Sequence, residues 1–237
     1  YCPSAESEVI MKIFAIGDLH LSLSTDKPMD IFGGWDNYVE RLTEHWNRLI
    51  GKEDLVILAG DTSWGMSLEE AAEDFRYIQN LPGEKYLLKG NHDYWWNTKK
   101  KTDAFFEENG FTTLHILQNN AVETENYVLC GTRGGLFETG EAHDTKSLQR
   151  EAMRLELSLN SIRSEKEKIV FLHYPPIYGD QCSAEIIDVM QKYGVKRCYY
   201  GHIHGAGRKY ALNGNFAGIE FRLISADNLE FCPIQIV

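Results

Sequence analysis

Five short apolar runs in this chain each end, abruptly, in residues that carry chemistry. Ile13-Phe14-Ala15-Ile16 runs into Gly17-Asp18-Leu19-His20, and Leu55–Ala59 runs into Gly60-Asp61. Tyr86-Leu87-Leu88 leads through Lys89 into Gly90-Asn91-His92-Asp93. Ile169–Leu172 stops at His173, and Cys198-Tyr199-Tyr200 stops at Gly201-His202-Ile203-His204. Runs of about four to six apolar residues have the length of strands buried on both faces. In open α/β sheets the carboxyl ends of parallel strands converge on the ligand crevice. The pattern therefore predicts that Asp18, His20, Asp61, Asn91, His92, His173, His202 and His204 meet in one place.

The segments between these runs support that architecture. Stretches 36–50, 67–80, 98–109, 145–163 and 183–193 return an apolar residue every three or four positions, as amphipathic helices do. Strands alternating with helices specify an α/β fold. Segments 113–117, 121–124 and 127–131 read as further strands. So do 219–225 and 229–236, with Asn213-Gly214 predicted as a hairpin turn. Two mixed sheets then pack face to face between helical layers, a four-layer α/β/β/α sandwich. Met11 is the expected start of the fold and 11–237 a single domain; 1–10 reads as an upstream extension, native or vector-derived.

Each motif alone is weak. An Asp after a strand is ordinarily a turn or helix cap, and a single His is ordinarily a hydrogen-bonded structural residue. The conjunction at five strand ends carries the reading. Imidazole, carboxylate and amide-oxygen donors without thiolate suit Mn, Fe or Zn in a reactive rather than a structural site. Seven candidate ligands exceed what one ion takes from protein while leaving room for substrate, so two divalent or mixed-valence ions fit better. Asp61 is a central candidate for the bridge. Two ions, two carboxylates and a hydroxide leave a net positive site, which attracts a phosphate. Two-metal sites of this kind clamp the attacking and leaving oxygens of an in-line displacement at phosphorus.

Taken in order, D-x-H, G-D, G-N-H-D, an isolated His and G-H-x-H over residues 18–204 resemble the calcineurin-like metallophosphoesterases, and in particular small bacterial-type phosphohydrolases. The resemblance implies one metal on Asp18, His20, Asp61 and His204, and a second on Asp61, Asn91, His173 and His202. It implies that metal-bound hydroxide attacks the phosphoester, that His92 serves as the acid at the leaving oxygen, and that Asp93 orients His92. The sequence departs from the family pattern in one place: many members carry G-D-x-x-D, and here Trp64 stands at the final Asp. The G-D-x-V-D-R-G and G-N-H-E motifs of protein Ser/Thr phosphatases are not found.

Further candidates flank these motifs. Trp64, Trp95 and Trp96 are candidates to line the site mouth and stack on a heterocycle, weighed against packing under the loops. Arg133 is a candidate phosphate contact, weighed against a structural ion pair, and His143 a candidate specificity element. The formal net charge of −11 disfavours nucleic acid and anionic membrane as partners. No apolar run has the length of a membrane-spanning helix. Five cysteines with no C-x-x-C pair read as reduced thiols in a cytoplasmic protein. The expected substrate is a small phosphorylated molecule, a phosphodiester or nucleotide first and a phosphomonoester second. A metal-binding scaffold without catalysis is the alternative of another class; the full set of ligands and His92 argues against it.

Overall fold

A computed structural model describes residues 11–135 and 145–237, and at Thr145 only the backbone. His143 and the extension 1–10 lie outside the described residues. In chain order the elements are β1 (Ile13–Ile16), α1 (Tyr38–Leu49), β2 (Leu55–Leu58), α2 (Ala72–Asn80), β3 (Glu84–Leu87) and α3 (Lys99–Glu108). Next come β4 (Leu114–Ile116), β5 (Ala121–Glu123), β6 (Tyr127–Thr132), α4 (Thr145–Asn160) and β7 (Glu167–Leu172). The chain finishes with β8 (Ile177–Tyr178), β9 (Gln181–Cys182), α5 (Ala184–Lys192), β10 (Arg197–Tyr200), β11 (Gly214–Phe216), β12 (Ile219–Leu223) and β13 (Ile234–Gln235).

One large sheet has the order β13-β1-β2-β3-β4, the other β11-β12-β10-β7-β6-β5, and β8 and β9 form a separate two-stranded ribbon. Each large sheet is parallel in its middle and closed by antiparallel edge strands, β13 in the first and β11 and β5 in the second. The continuous apolar runs follow from burial on both faces, with period two deciding which side chain goes where. Phe14, Ile16, Val56 and Leu58 pack outward under Leu42 and Trp46 of α1 and Phe75 and Ile78 of α2. Their neighbours Ile13, Ala15, Leu55 and Ile57 face Ile169 and Phe171 of the opposite sheet. Val170, Leu172, Cys198 and Tyr200 turn the other way, onto Leu155 and Leu159 of α4 and Ile186 and Met190 of α5. Three separate apolar layers thus hold four layers of structure, the predicted α/β/β/α sandwich.

Register positions the site. Ile16 lies level with Leu58 and Leu58 with Leu87, while Leu172 lies level with Tyr200 and Tyr200 with Leu223. The polar residues that follow these strands therefore emerge along one edge. The two sheets are stitched there: Gly17 N–H donates to Ile224 O (2.8 Å), and Ala226 N–H donates to Gly17 O (2.9 Å).

Two expectations about the C-terminal part need correction. The hairpin turn is Ala217-Gly218, with Asn213-Gly214 at the start of β11 instead. Ala217 and Gly218 both have positive φ (54° and 81°), the two-residue geometry whose twist matches the flanking strands. Asn213 is used differently, its Oδ1 accepting from Leu223 N–H (2.9 Å). The strand expected over 229–236 reduces to Ile234–Gln235, because the backbone from Ser225 to Cys232 folds into consecutive turns that bury Phe231.

Candidate metal centre

The strand ends deliver two groups of ligand atoms. One consists of Asp18, His20 and His204, the other of Asp61, His173 and His202, and within each group the ligand atoms lie within 4.8 Å of one another. Asp61 Oδ2 faces both groups, 3.7 Å from His20 Nε2 and 3.5 Å from His173 Nε2. Asn91 joins the second group: its Oδ1 is 2.7 Å from His173 Nε2 and 2.9 Å from His202 Nδ1. In the first group Asp18 Oδ1 is 3.3 Å from His204 Nε2.

The backbone is bent to achieve this. Asp18, His20, Asp61 and His202 all have left-handed φ, between 46° and 72°. Such conformations cost non-glycine residues about 1–3 kcal/mol each and persist only where surroundings enforce them. The enforcement is visible in hydrogen bonds. His202 N–H donates to both Asp18 oxygens (3.0 and 2.9 Å), His92 N–H to Asp61 Oδ1 (2.8 Å), and His20 N–H to Asp61 O (2.9 Å). Gly90 is required by close approach, since a Cβ there would sit 2.0 Å from Asp61 Oδ1.

Asp93 anchors the assembly. Its Oδ2 accepts from Asp61 N–H (2.8 Å) and Gly90 N–H (2.7 Å), its Oδ1 from Thr62 N–H (2.8 Å) and Trp95 Nε1–H (2.9 Å). Asp93 therefore ties the loop after β2 to the loop after β3, the loop that carries His92.

Electrostatics test whether cations fit. Burial pushes the His20 and His173 imidazoles down to about 3, so both are neutral with a free lone pair at physiological pH. The ring of His173 faces Ala59 O with Nδ1 (3.0 Å), which fixes the proton there and leaves Nε2 bare toward Asn91 Oδ1. Two electron-pair donors at 2.7 Å are satisfied by a cation between them. Burial, then the nearby Asp93 and Asp18, push the Asp61 carboxyl up to about 9, a carboxylate short of positive charge. Burial opposes ionisation of Asp18 too, but His204, His173 and His20 outweigh it and hold that carboxyl below the usual range. Among the described residues His204 Nε2 is buried and makes no hydrogen bond, although Asp18 Oδ1 lies 3.3 Å away. The donor set fits divalent metal ions in both groups.

The family model for calcineurin-like phosphoesterases matches residues 11–206, most of the chain and every residue of both ligand groups. The chain is a calcineurin-like phosphoesterase. A probable glycerophosphodiester phosphodiesterase, GpdQ, of Arcobacter nitrofigilis is 28% identical over 137 residues. That match covers 56% of this phosphoesterase but only 46% of the relative, so the chain spans less than half of that relative's length. Among solved structures, phosphopantetheinyl hydrolase (PptH) from Mycobacterium tuberculosis aligns with a TM-score of 0.59 at 13% identity, over 95% of both chains. A protein of unknown function, AQ665 from Aquifex aeolicus, aligns with a TM-score of 0.52 at 15% identity, over 95% of this chain and 96% of that one. At such identities the likeness is one of fold.

The aromatic candidates of the phosphoesterase separate into different places. Trp64 belongs to the site: its indole stacks on His20 (5.0 Å between centroids, 24°) and lies 4.6 Å from the His92 ring. Trp95 does not. It is 1% exposed, packs edge-on against Phe75 (4.8 Å) and gives its N–H to Asp93, so the expected substrate contact is corrected to a packing role. Trp96 is half-buried against Trp95 and the α-helical core layer. Arg133 stands on the His173 side, with Nη2 3.8 Å from the buried Glu151 and its guanidinium 5.8 Å from the Tyr174 ring centroid.

Asp227, between the expected strands 219–225 and 229–236, is a site residue that the strand-end pattern does not mark. Its Oδ1 is 2.8 Å from His204 Nδ1, and its Oδ2 accepts from Gly205 N–H (2.9 Å). β12 runs parallel to β10 and ends level with it, so it is a sixth strand beyond whose end a titratable side chain reaches the site. A carboxylate on the far nitrogen of a ligating His fixes its tautomer and raises its basicity. Asp227→Ala is expected to weaken metal binding about 10- to 100-fold. Calorimetric titration of the metal-free protein with Mn²⁺ measures the change, and Asp227→Asn, which keeps one acceptor, should lose less.

Proposed function

We propose that this calcineurin-like phosphoesterase is a dinuclear metal-dependent hydrolase, acting on a phosphodiester or nucleotide. The observation that carries the reading is Asp61 Oδ2 lying between two ligand groups, with His92 beside them at the wall of an open cavity. In this reading Asp18, His20, Asp61 and His204 hold one ion, and Asp61, Asn91, His173 and His202 hold the other. Ions bound there, of Mn, Fe or Zn, neutralise phosphoryl oxygens and make water acidic enough to act as a nucleophile near neutral pH. The chain's own residues do the rest. Asp61 holds the groups in fixed register through the His92 amide, and Asp93 keeps the two loops from drifting apart. His92 presents its imidazole at the cavity, in position to give a proton to the departing oxygen.

The phosphodiester class is favoured by the relative whose name is a glycerophosphodiester phosphodiesterase. A phosphomonoester of a small metabolite is the second reading. Among the described residues no helix is long and apolar enough to cross a membrane. Cys130, Cys182, Cys198 and Cys232 are free thiols, which fits the reducing cytoplasm.

The test is hydrolysis of an aryl phosphodiester and the matching monoester by Mn²⁺-loaded protein. Turnover of the diester that a chelator abolishes and Mn²⁺ restores is the expected result. Faster turnover of the monoester would replace the substrate class, and no turnover of either with both ions bound would overturn the enzymatic reading.

A further inference from the structure

A cavity of about 470 Å³ opens beside the candidate metal centre, within the range of small-molecule sites. His20, His92 and His204 form part of its lining, so a molecule seated there touches both ligand residues and the candidate acid. Arg208 and Asp227 stand on one side of it, and the large side chains of the other walls are apolar. Trp35 is buried against His20 and His204 at 5.9 Å from each ring, and Trp64 covers His20 and His92. The Trp64 N–H is directed at Met29 Sδ (3.3 Å), another wall residue, leaving the indole face for contact. Phe32, 53% exposed, stands at the mouth.

The two polar side chains on this side, Asp227 and Arg208, both make hydrogen bonds within the fold. Asp227 serves His204 and Gly205, while Arg208 Nη1–H and Nε–H donate to the carbonyls of Asp227 (2.9 Å) and Gly205 (3.0 Å). A polyol placed between two indoles and a phenyl ring would bury hydroxyls without partners, at roughly 1–3 kcal/mol each. A flat apolar group would instead gain about 25 cal/mol for each Å² removed from water, and would stack on the rings.

We propose that this cavity binds the leaving alcohol of the substrate, and that it selects an alcohol bearing an aromatic or heteroaromatic group over a polyol. The proposal rests on the phosphoesterase reading above and names the specificity of that same site. Trp64 and Phe32 are its specificity-determining residues.

Calorimetric binding to Mn²⁺-loaded protein tests it, with two methylphosphonate monoesters of equal charge, one of 2-phenylethanol and one of glycerol, and with inorganic phosphate. The phenylethyl ester is expected to bind about 10-fold tighter than the glyceryl ester, a difference of about 1.4 kcal/mol. Phe32→Ala should reduce that ratio to about 3-fold or less while inorganic phosphate binds as before, and Trp64→Leu should reduce the ratio by at least as much. Phe32 is exposed, so its variant removes the contact without disturbing the core. Equal or tighter binding of the glyceryl ester overturns the proposal and leaves the phosphoesterase reading standing. Failure of both esters and of inorganic phosphate to bind overturns both.

Discussion

Asp61→Asn protein reconstituted with Mn²⁺ is expected to lose both ions together and, with them, turnover. A carboxylate oxygen that faces His20 at 3.7 Å and His173 at 3.5 Å cannot be removed from one ligand group alone. The amide offers only a neutral oxygen, so affinity should fall by well over about 100-fold, beyond the usual loss of an outer-shell partner. Metal content by elemental analysis after dialysis reads the result directly, and two ions retained per chain would sink the shared-ligand assignment. A second readout separates lost ligation from general damage. In the metal-free protein, burial and the carboxylates of Asp93 and Asp18 push Asp61 up to about 9 from an ordinary 3.8. Between those values the folded chain keeps a proton that the unfolded chain has released. The stability this contributes is fully present below 3.8 and is lost as pH rises toward 9. Asparagine has no proton to lose and still accepts from the His92 amide. The Tm of metal-free Asp61→Asn relative to metal-free wild type should therefore climb as pH rises through that window. A difference independent of pH would mean that Asp61 is not starved of positive charge in the folded chain.

The same crowding explains why this centre could be seen in the primary structure. Strands buried on both faces must be apolar throughout, so Ile13–Ile16, Leu55–Leu58 and Ile169–Leu172 stand out, and whatever polar residue follows them marks the sheet edge. In-register pairing then forces Asp18, Asp61 and Asn91 to emerge side by side. Elements whose polarity is mixed carried less information. Asn213-Gly214 has the composition of a hairpin turn, yet the turn formed at Ala217-Gly218, because pairing Gly214 with Phe221 puts both central residues of the loop there. Sequence adjacency misled for the tryptophans: Trp95 follows the ligand motif closely, but Asp93 and Phe75 draw it into the core, while Trp64 stays at the centre. Asp227 was missed because its strand, β12, alternates apolar Ile219, Phe221 and Leu223 with exposed Glu220 and Arg222, and so lacks the continuous run that marked the others. Its parallel pairing to β10, which brings its end to the site, is a long-range fact that no local pattern encodes.

His92→Ala should behave in the opposite way to Asp61→Asn, keeping both ions while turnover falls about 10²- to 10⁴-fold. The His92 ring belongs to neither ligand group; it lies against Trp64 at 4.6 Å, and its Nδ1 is 3.4 Å from the Tyr94 hydroxyl. The backbone N–H of His92 donates to Asp61 Oδ1, and alanine preserves that bond. Unchanged metal content is thus expected, and its loss would make the residue structural. The dependence on leaving group then distinguishes proton donation from charge stabilisation. A nitrophenolate departs without help, whereas an alkoxide needs a proton as the P–O bond breaks. If His92 supplies that proton, the variant loses far more activity on alkyl esters than on nitrophenyl esters, and the rate becomes steeply dependent on the acidity of the leaving alcohol. If the imidazole acts only by stabilising charge on the phosphoryl oxygens, both substrate types fall by the same factor. The position of His92 on the wall of the cavity, among the groups that line it rather than behind the ligands, favours the first outcome.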